Sequence, residues 1–179
     1  MKRFVIAAIL LHLPTGSFAQ SHQPYAGFQS RDVKALSNEQ MADLRSGRGM
    51  GLALAAELNG YPGPAHILEM VDALALTSQQ RVEMQSLFDH MKAETVRIGS
   101  RLIQEETALD REFAGRNITA ASLVRLTGDI GKTQAELRAA HLRYHLSAAG
   151  ILTPEQMGRY AVLRGYGTVR PEHGHHRSQ

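Results

Sequence analysis

The sequence predicts an all-α protein with one long antiparallel helical hairpin and short flanking helices. Two stretches carry apolar residues three or four positions apart, the period of an amphipathic helix. They run from Ser78 to Ala114, where Gly99 is the one interior glycine, and from Ala120 to Ala149. The polar break GRNIT at 115–119 separates them. Because a lone hairpin leaves apolar surface uncovered, we expect a homodimer.

Residues 1–19 have the layout of a secretory signal peptide. Lys2 and Arg3 precede an apolar run at 4–13, and the small-residue sequence SFA at 17–19 supplies a cleavage site. The run is too short for a membrane-spanning helix, which needs roughly 20 residues. We therefore expect an exported protein without a membrane span after cleavage, which in a Gram-negative cell is periplasmic.

Composition excludes several functional classes. The chain has 20 basic and 17 acidic residues, and removal of Lys2 and Arg3 leaves 18 against 17, a net charge of +1. With no basic run, nucleic-acid binding is not expected. The chain has no cysteine, so thiol chemistry and disulfides are excluded. No set of nucleophile, base and orienting group can be assembled, so we do not expect an enzyme.

Residues 20–64 form an N-terminal segment with a short helix and a glycine-rich loop. The helix is predicted to begin after Ser37 and to stop at Gly47. The loop, GRGMGLALAAELNGYPGP at 47–64, has room for one helical turn at 53–58. Its apolar residues need cover, so we expect it to fold back onto the helices.

Residues 65–166 form the hairpin domain. A short helix is predicted at 66–73, ahead of the first long helix, and a last one from Pro154 to about Arg164. The tail 167–179 has no apolar period and is predicted to be disordered. The predicted apolar stripe comprises Met84, Leu87, Met91, Ile98, Leu102, Leu109 and Phe113 on the first long helix and Leu123, Leu126, Ile130, Leu137, Tyr144 and Ala148 on the second.

One five-residue phrase stands before three of the predicted helices. It is LTSQQ at 76–80, LTPEQ at 152–156 and, more loosely, LSNEQ at 36–40. In such a phrase the hydroxyl accepts from an amide of the first turn, and the glutamine reaches back to the capping residue's amide, which is a capping box. Each cap contributes roughly 1 kcal/mol.

The two full copies bracket the hairpin. If the helices run antiparallel around 115–119, both capped starts lie level at its open end. The residues that define the two copies are Leu76, Thr77, Gln80, Leu152, Thr153 and Gln156.

A signal peptide, a long helical hairpin and paired LTxxQ phrases resemble the Spy/CpxP family, also called the LTXXQ-motif or periplasmic heavy-metal resistor group. The resemblance covers about residues 66–166, and the stretch 25–64 lies outside the family pattern. It implies a periplasmic, ATP-independent chaperone for unfolded or misassembled envelope proteins, which in this family is often a cradle-like dimer. The alternatives that it implies are a regulatory partner of a sensor kinase and a zinc, nickel or cobalt binder used in sensing or resistance.

Four residues form the candidate metal site. His141 and His145 lie one helical turn apart, so both rings can approach one ion. In an antiparallel hairpin His90 lies opposite them and Glu94 follows one turn later, which makes a nitrogen and oxygen set suited to zinc, nickel or cobalt. The alternative is that the histidines are boundary residues, since His90 lies roughly 110° from the centre of its apolar stripe. No cofactor is otherwise expected, and HGHH at 173–176 is either a loose metal site or solvated tail.

Glu105 and Glu106 flank the stripe of the first long helix. Two adjacent carboxylates suggest acid–base chemistry, but neighbours in a helix point about 100° apart. No histidine is level with them, so we expect both to pair with basic residues and to remain solvated.

Overall fold

The computed structural model describes residues 24–167, and within that range the chain is all helical, as predicted. The signal-peptide prediction and residues 168–179 of the predicted tail lie outside the described residues. A short 3-10 turn at Phe28–Ser30 comes first. The helices are α1 (Asn38–Ser46), α2 (Leu54–Glu57), α3 (Pro64–Leu68), α4 (Ser78–Ala114), α5 (Ala120–Ile151) and α6 (Pro154–Leu163). None of these six has both the length and the hydropathy that a membrane crossing requires.

The long helices α4 and α5 pack side by side and are joined by a tight turn. Gly115 closes α4 in an ordinary helical conformation, and Arg116 takes the left-handed one, with φ of 55°. Gly115 allows a close approach, since a Cβ there would lie 2.8 Å from Asn117 Nδ2. Thr119 then caps α5 by accepting from the Ser122 amide at 3.1 Å. The predicted stop and restart at 115–119 are therefore confirmed, with an arginine in the left-handed position.

The core consists of two apolar clusters along the hairpin. The first lies at the open end, where α3 and α6 close over the long helices. The second lies further along, where Leu44 of α1 packs against Ile98 and Leu102 of α4. The stripe does not stay buried to the tip, because Phe113 is 53% exposed. The buried members of the open-end cluster are Ile67, Leu74, Leu76, Met84, Ala148, Leu152 and Tyr160.

The N-terminal segment folds back onto the hairpin, as its apolar residues predicted. Helix α1 crosses α4 at Gly99, where a Cβ would lie only 2.5 Å from the Leu44 carbonyl oxygen. Glycine at position 99 therefore permits backbone-to-backbone contact between the two helices. Val33, Met41 and Leu44 are buried in this interface or beside it.

One predicted helix is displaced and the others agree closely. Helix α3 occupies 64–68 rather than 66–73, because Pro64 takes the first helical position, where its missing N–H costs nothing. The chain then continues in turns that include Ala75 at φ of 50°. The bounds of α4 are those predicted, and α5 extends to Ile151.

Candidate functional site: the crossed LTxxQ phrases and the Glu57 cluster

The two LTxxQ phrases contact each other at the open end of the hairpin. Gln80 Nε2 donates to Gln156 Oε1 at 2.8 Å, and Gln156 Nε2 donates to Gln80 Oε1 at 3.0 Å. The remaining amide protons reach the Ile151 carbonyl at 2.9 Å and the Leu74 carbonyl at 3.3 Å. The side chains therefore form a reciprocal cross-link between α4 and α6.

The same glutamines also complete their own helix caps. Gln80 Oε1 accepts from the Thr77 amide at 3.1 Å, and Gln156 Oε1 accepts from the Thr153 amide at 2.9 Å. The hydroxyl of each threonine accepts in return from the backbone N–H of the glutamine in its own phrase. Both predicted capping boxes are therefore present. A third box joins Ser37 and Gln40 at α1. It has no glutamine partner across the fold.

The leucine of each phrase is buried in the apolar core at the open end. Leu76 and Leu152 are 6% and 8% exposed and belong to the same apolar cluster. Each phrase thus supplies one buried leucine, one capping threonine and one glutamine that caps and cross-links. The level arrangement of the two copies predicted their proximity, but capping rules alone did not predict the cross-link.

A buried carboxylate, Glu57, joins the glycine-rich segment to the hairpin. Its side chain is 5% exposed. The Tyr160 hydroxyl donates to one oxygen, and the Gly63 amide donates to the other at 3.1 Å. His66 Nδ1 lies 3.3 Å from Glu57 Oε1, and Arg164 Nε lies 3.8 Å from the same oxygen. One residue of α2 therefore contacts the loop before α3, α3 itself, and the last helix.

These partners set the protonation of Glu57. Burial alone raises the pKa of a carboxyl, but the His66 ring 3.3 Å away and the hydrogen bonds from the Tyr160 hydroxyl and the Gly63 amide outweigh it. The pKa of Glu57 is lowered to about 2. Burial and the Glu57 carboxylate raise the pKa of Tyr160. Glu57 is thus a charged acceptor at neutral pH, and Tyr160 is a donor.

Sequence reasoning did not single out Glu57. It falls in the apolar stretch LALAAEL, where a lone acidic residue reads as the solvated side of a helical turn. Its buried partner Tyr160 stands 103 positions later. One signal in the sequence could have identified it. Glu57 stands among apolar residues that must be buried, and a carboxylate within such a stretch is buried with them.

The predicted metal ligands do not converge. His145 Nδ1 lies 2.7 Å from the Tyr61 carbonyl oxygen and, since a carbonyl only accepts, donates to it. His145 Nε2 faces Gly63, whose Cβ would stand 2.8 Å away. His141 is 3% exposed, and its Nε2 has no hydrogen-bond partner. Burial, and secondarily His145, lower the pKa of His141, so the ring is held neutral.

The other two candidate ligands point elsewhere. His90 is exposed, as its helical angle indicated. Glu94 accepts from Arg143 Nη2 at 2.7 Å and from the Tyr144 hydroxyl at 3.0 Å. Burial raises the pKa of Glu94, but these two hydrogen bonds and the arginine charges lower it overall. Within residues 24–167 no three histidine or acidic side chains come together as a metal site.

Glu105 and Glu106 differ from one another in the structure. Glu105 accepts from the Thr133 hydroxyl at 2.9 Å and lies 3.8 Å from Arg101 Nε, as a paired residue would. Glu106 is only 9% exposed, so the prediction that its side chain remains solvated is wrong. Burial, and then repulsion from Glu105, raise the pKa of Glu106. The cause is the position of Glu106 among the inward-facing residues of α4.

The fold and the crossed phrases define a small all-helical protein whose two long helices are clasped at their open end. The sequence model of the LTXXQ motif family matches residues 64–164, which is more than half of the chain. The chain therefore belongs to this family, that of the Spy/CpxP-like proteins. No curated protein and no solved structure shows significant similarity to it.

Proposed function

We propose that this protein is a periplasmic envelope-stress chaperone of Spy/CpxP type, which binds unfolded or misassembled envelope proteins without ATP. Membership of the LTXXQ motif family supports this class and the periplasmic location. The observation that carries the proposal is apolar side-chain exposure along the hairpin. Val82, Phe113, Val124 and Leu146 are 53–72% exposed, and all lie within the matched region.

The outer face of α5 carries a continuous stripe of exposed small and apolar residues. At 100° per residue, one side of the helix carries small or apolar residues over seven turns. Arg138 is the one charged residue near its centre line, and the side chains flanking it are polar. Such a surface offers apolar contact close to the backbone at its glycines and alanine, and exposed apolar side chains at Val124 and Leu146. The exposed residues on this side are Val124, Gly128, Gly131, Ala135 and Leu146.

The test is suppression of aggregation by the chain from residue 20, without nucleotide. Reduced α-lactalbumin serves as the unfolded client, and light scattering reports its aggregation. We expect suppression near equimolar ratio, and an apparent Kd weakened roughly tenfold in Val124→Lys/Leu146→Lys, because two lysines would replace apolar contacts. The matched control Thr127→Lys/Gln134→Lys adds the same two charges at exposed polar positions beside the stripe and should behave as wild type. No suppression at several-fold excess of wild type would refute the proposal.

Regulation of a sensor kinase and metal sensing are less well supported. The kinase role would need a surface specific for one partner, and no described feature favours that over general apolar exposure. The metal role would need His141 and His145 to share an ion with a third ligand. Their rings instead face the glycine-rich segment.

A further inference from the structure

Residues 47–63, which we call the arch, bridge a cavity on the side of the hairpin. The backbone at both ends of the arch packs closely against the long helices. A Cβ on Gly47 would lie 2.7 Å from Thr95 Oγ1 of α4, and one on Gly63 would lie 2.8 Å from His145 Nε2 of α5. Between these two ends lies a cavity of about 650 Å³ that is partly open to solvent. Volumes of this size are typical of small-molecule sites.

The backbone of the arch is shaped by left-handed residues. Gly47, Gly51 and Gly60 have φ of 71–86°, which costs glycine nothing. Met50 also has a left-handed φ, 45°, which costs energy for a residue with a Cβ. Met50 lines the cavity and remains 39% exposed. The strained residue thus lies at the cavity wall, and local strain of this kind is concentrated at functional sites.

The cavity wall favours an uncharged group. Its apolar surface comes from Met50 and Leu54 of the arch and from Phe88 and Met91 of α4. Methionine adapts to varied shapes, and its sulfur makes favourable contacts with aromatic rings. The buried ring of His141 adds a neutral imidazole to the wall.

The charges at the cavity are largely satisfied by one another. Asp43 pairs with Arg48, and Glu57 is held by the hydrogen bonds described above. Lys92 and Glu69 stand at the rim, are exposed, and have opposite signs. A charged ligand would lose hydration without gaining a partner inside.

We propose that the cavity beneath the arch binds one aromatic side chain of an unfolded polypeptide client. The inference rests on the proposed chaperone function and specifies where such a chaperone takes hold of its client. The arch lies outside the residues that the family model matches, whereas the wall formed by α4 and α5 lies inside them.

The test uses N-acetyl-tryptophanamide, a neutral probe with an indole ring. The chain has no tryptophan, so the probe is the one source of indole fluorescence. We expect a blue shift that saturates with a Kd on the order of 0.1–1 mM, the range for a ligand of this size. N-acetyl-glutamate amide should compete at least about tenfold more weakly, since its carboxylate would lose hydration and the wall already carries the charged Glu57 carboxylate.

The variant Gly49→Leu partly fills the cavity, beside the His141 ring. Gly49 lines the cavity, has no left-handed φ, and a Cβ there would meet only the His141 ring, at 3.9 Å. The added side chain should weaken probe binding at least about tenfold, with unchanged circular dichroism. Gly158→Leu, at an exposed position of α6, adds the same side chain away from the cavity and should bind the probe as wild type. If Gly49→Leu does not fold, Ala53→Leu fills the cavity from another wall position.

The outcomes separate the site from the function. Loss of both probe binding and aggregation suppression in the filled variant supports the inference. Loss of probe binding with suppression intact, wild-type affinity in both filled variants, or no saturable binding to wild type overturns it. A wild type that binds the probe but suppresses no aggregation refutes the chaperone proposal and still supports an aromatic site.

Discussion

The crossed glutamines can be tested by a double-mutant cycle at Gln80 and Gln156. Alanine at 80 removes four side-chain hydrogen bonds, one to the Thr77 amide, one to the Ile151 carbonyl and two shared with Gln156. At about 0.5–1.5 kcal/mol each in partly buried positions, the expected loss is about 3 kcal/mol. Alanine at 156 should cost a similar amount. Because two bonds are common to both, the double variant should lose about 1–2 kcal/mol less than the sum.

The free energy of unfolding of all four proteins is measured by urea titration, followed by circular dichroism at 222 nm. The matched control is Gln40→Ala. Gln40 exchanges bonds only with Ser37 in its capping box, so its loss should cost roughly 1 kcal/mol and should add to either other variant. If the effects at 80 and 156 add within about 0.5 kcal/mol, the cross-link does not stabilise the protein and the phrase is only a pair of caps.

Three further outcomes are expected. Gly99→Ala should lower the free energy of unfolding in urea by about 3 kcal/mol, since its Cβ would strike the α1 backbone, whereas Gly131→Ala should not lower it. Glu106→Gln should raise stability at pH 7. The pKa of Glu106 is raised in the fold, so wild-type stability is lost as pH rises through that pKa, and thermal unfolding should show the difference vanish well below pH 4.5. In a chain ending at residue 167, alanine at His141 and His145 should leave zinc affinity by calorimetry unchanged; loss of a micromolar site would restore the metal hypothesis.

Local rules were enough to predict the hairpin. The bounds of α4 and the caps at Thr77, Thr119 and Thr153 follow from short-range hydrogen bonding and helical period, which a sequence displays directly. The antiparallel register followed from the length of the helices around one turn. The sequence did not indicate which residue of the turn takes the left-handed conformation, and in the structure it is Arg116.

Long-range burial was beyond those rules. The period of α5 placed His141 and His145 near the edge of its apolar stripe, and only the arch, which covers that edge, makes them buried. Glu94 lies one helical turn from His90, a spacing that suits two ligands of one metal ion. In the structure its carboxylate instead accepts a hydrogen bond from Arg143. Spacing within one helix indicates which side chains can meet, and the neighbouring helix determines which of them do.

Two polar ties hold the open end, and they join different parts of the chain. The glutamine pair lies inside the family match and connects the start of α4 with the start of α6. Glu57 lies outside that match and reaches Tyr160 on the same α6. Without the segment that carries Glu57, the Tyr160 hydroxyl would lose its acceptor, and the apolar surface under Leu44 would face water. The hydrogen-bonded structure at the open end therefore extends beyond the family match toward the N-terminus, and α6 is the element on which both ties converge.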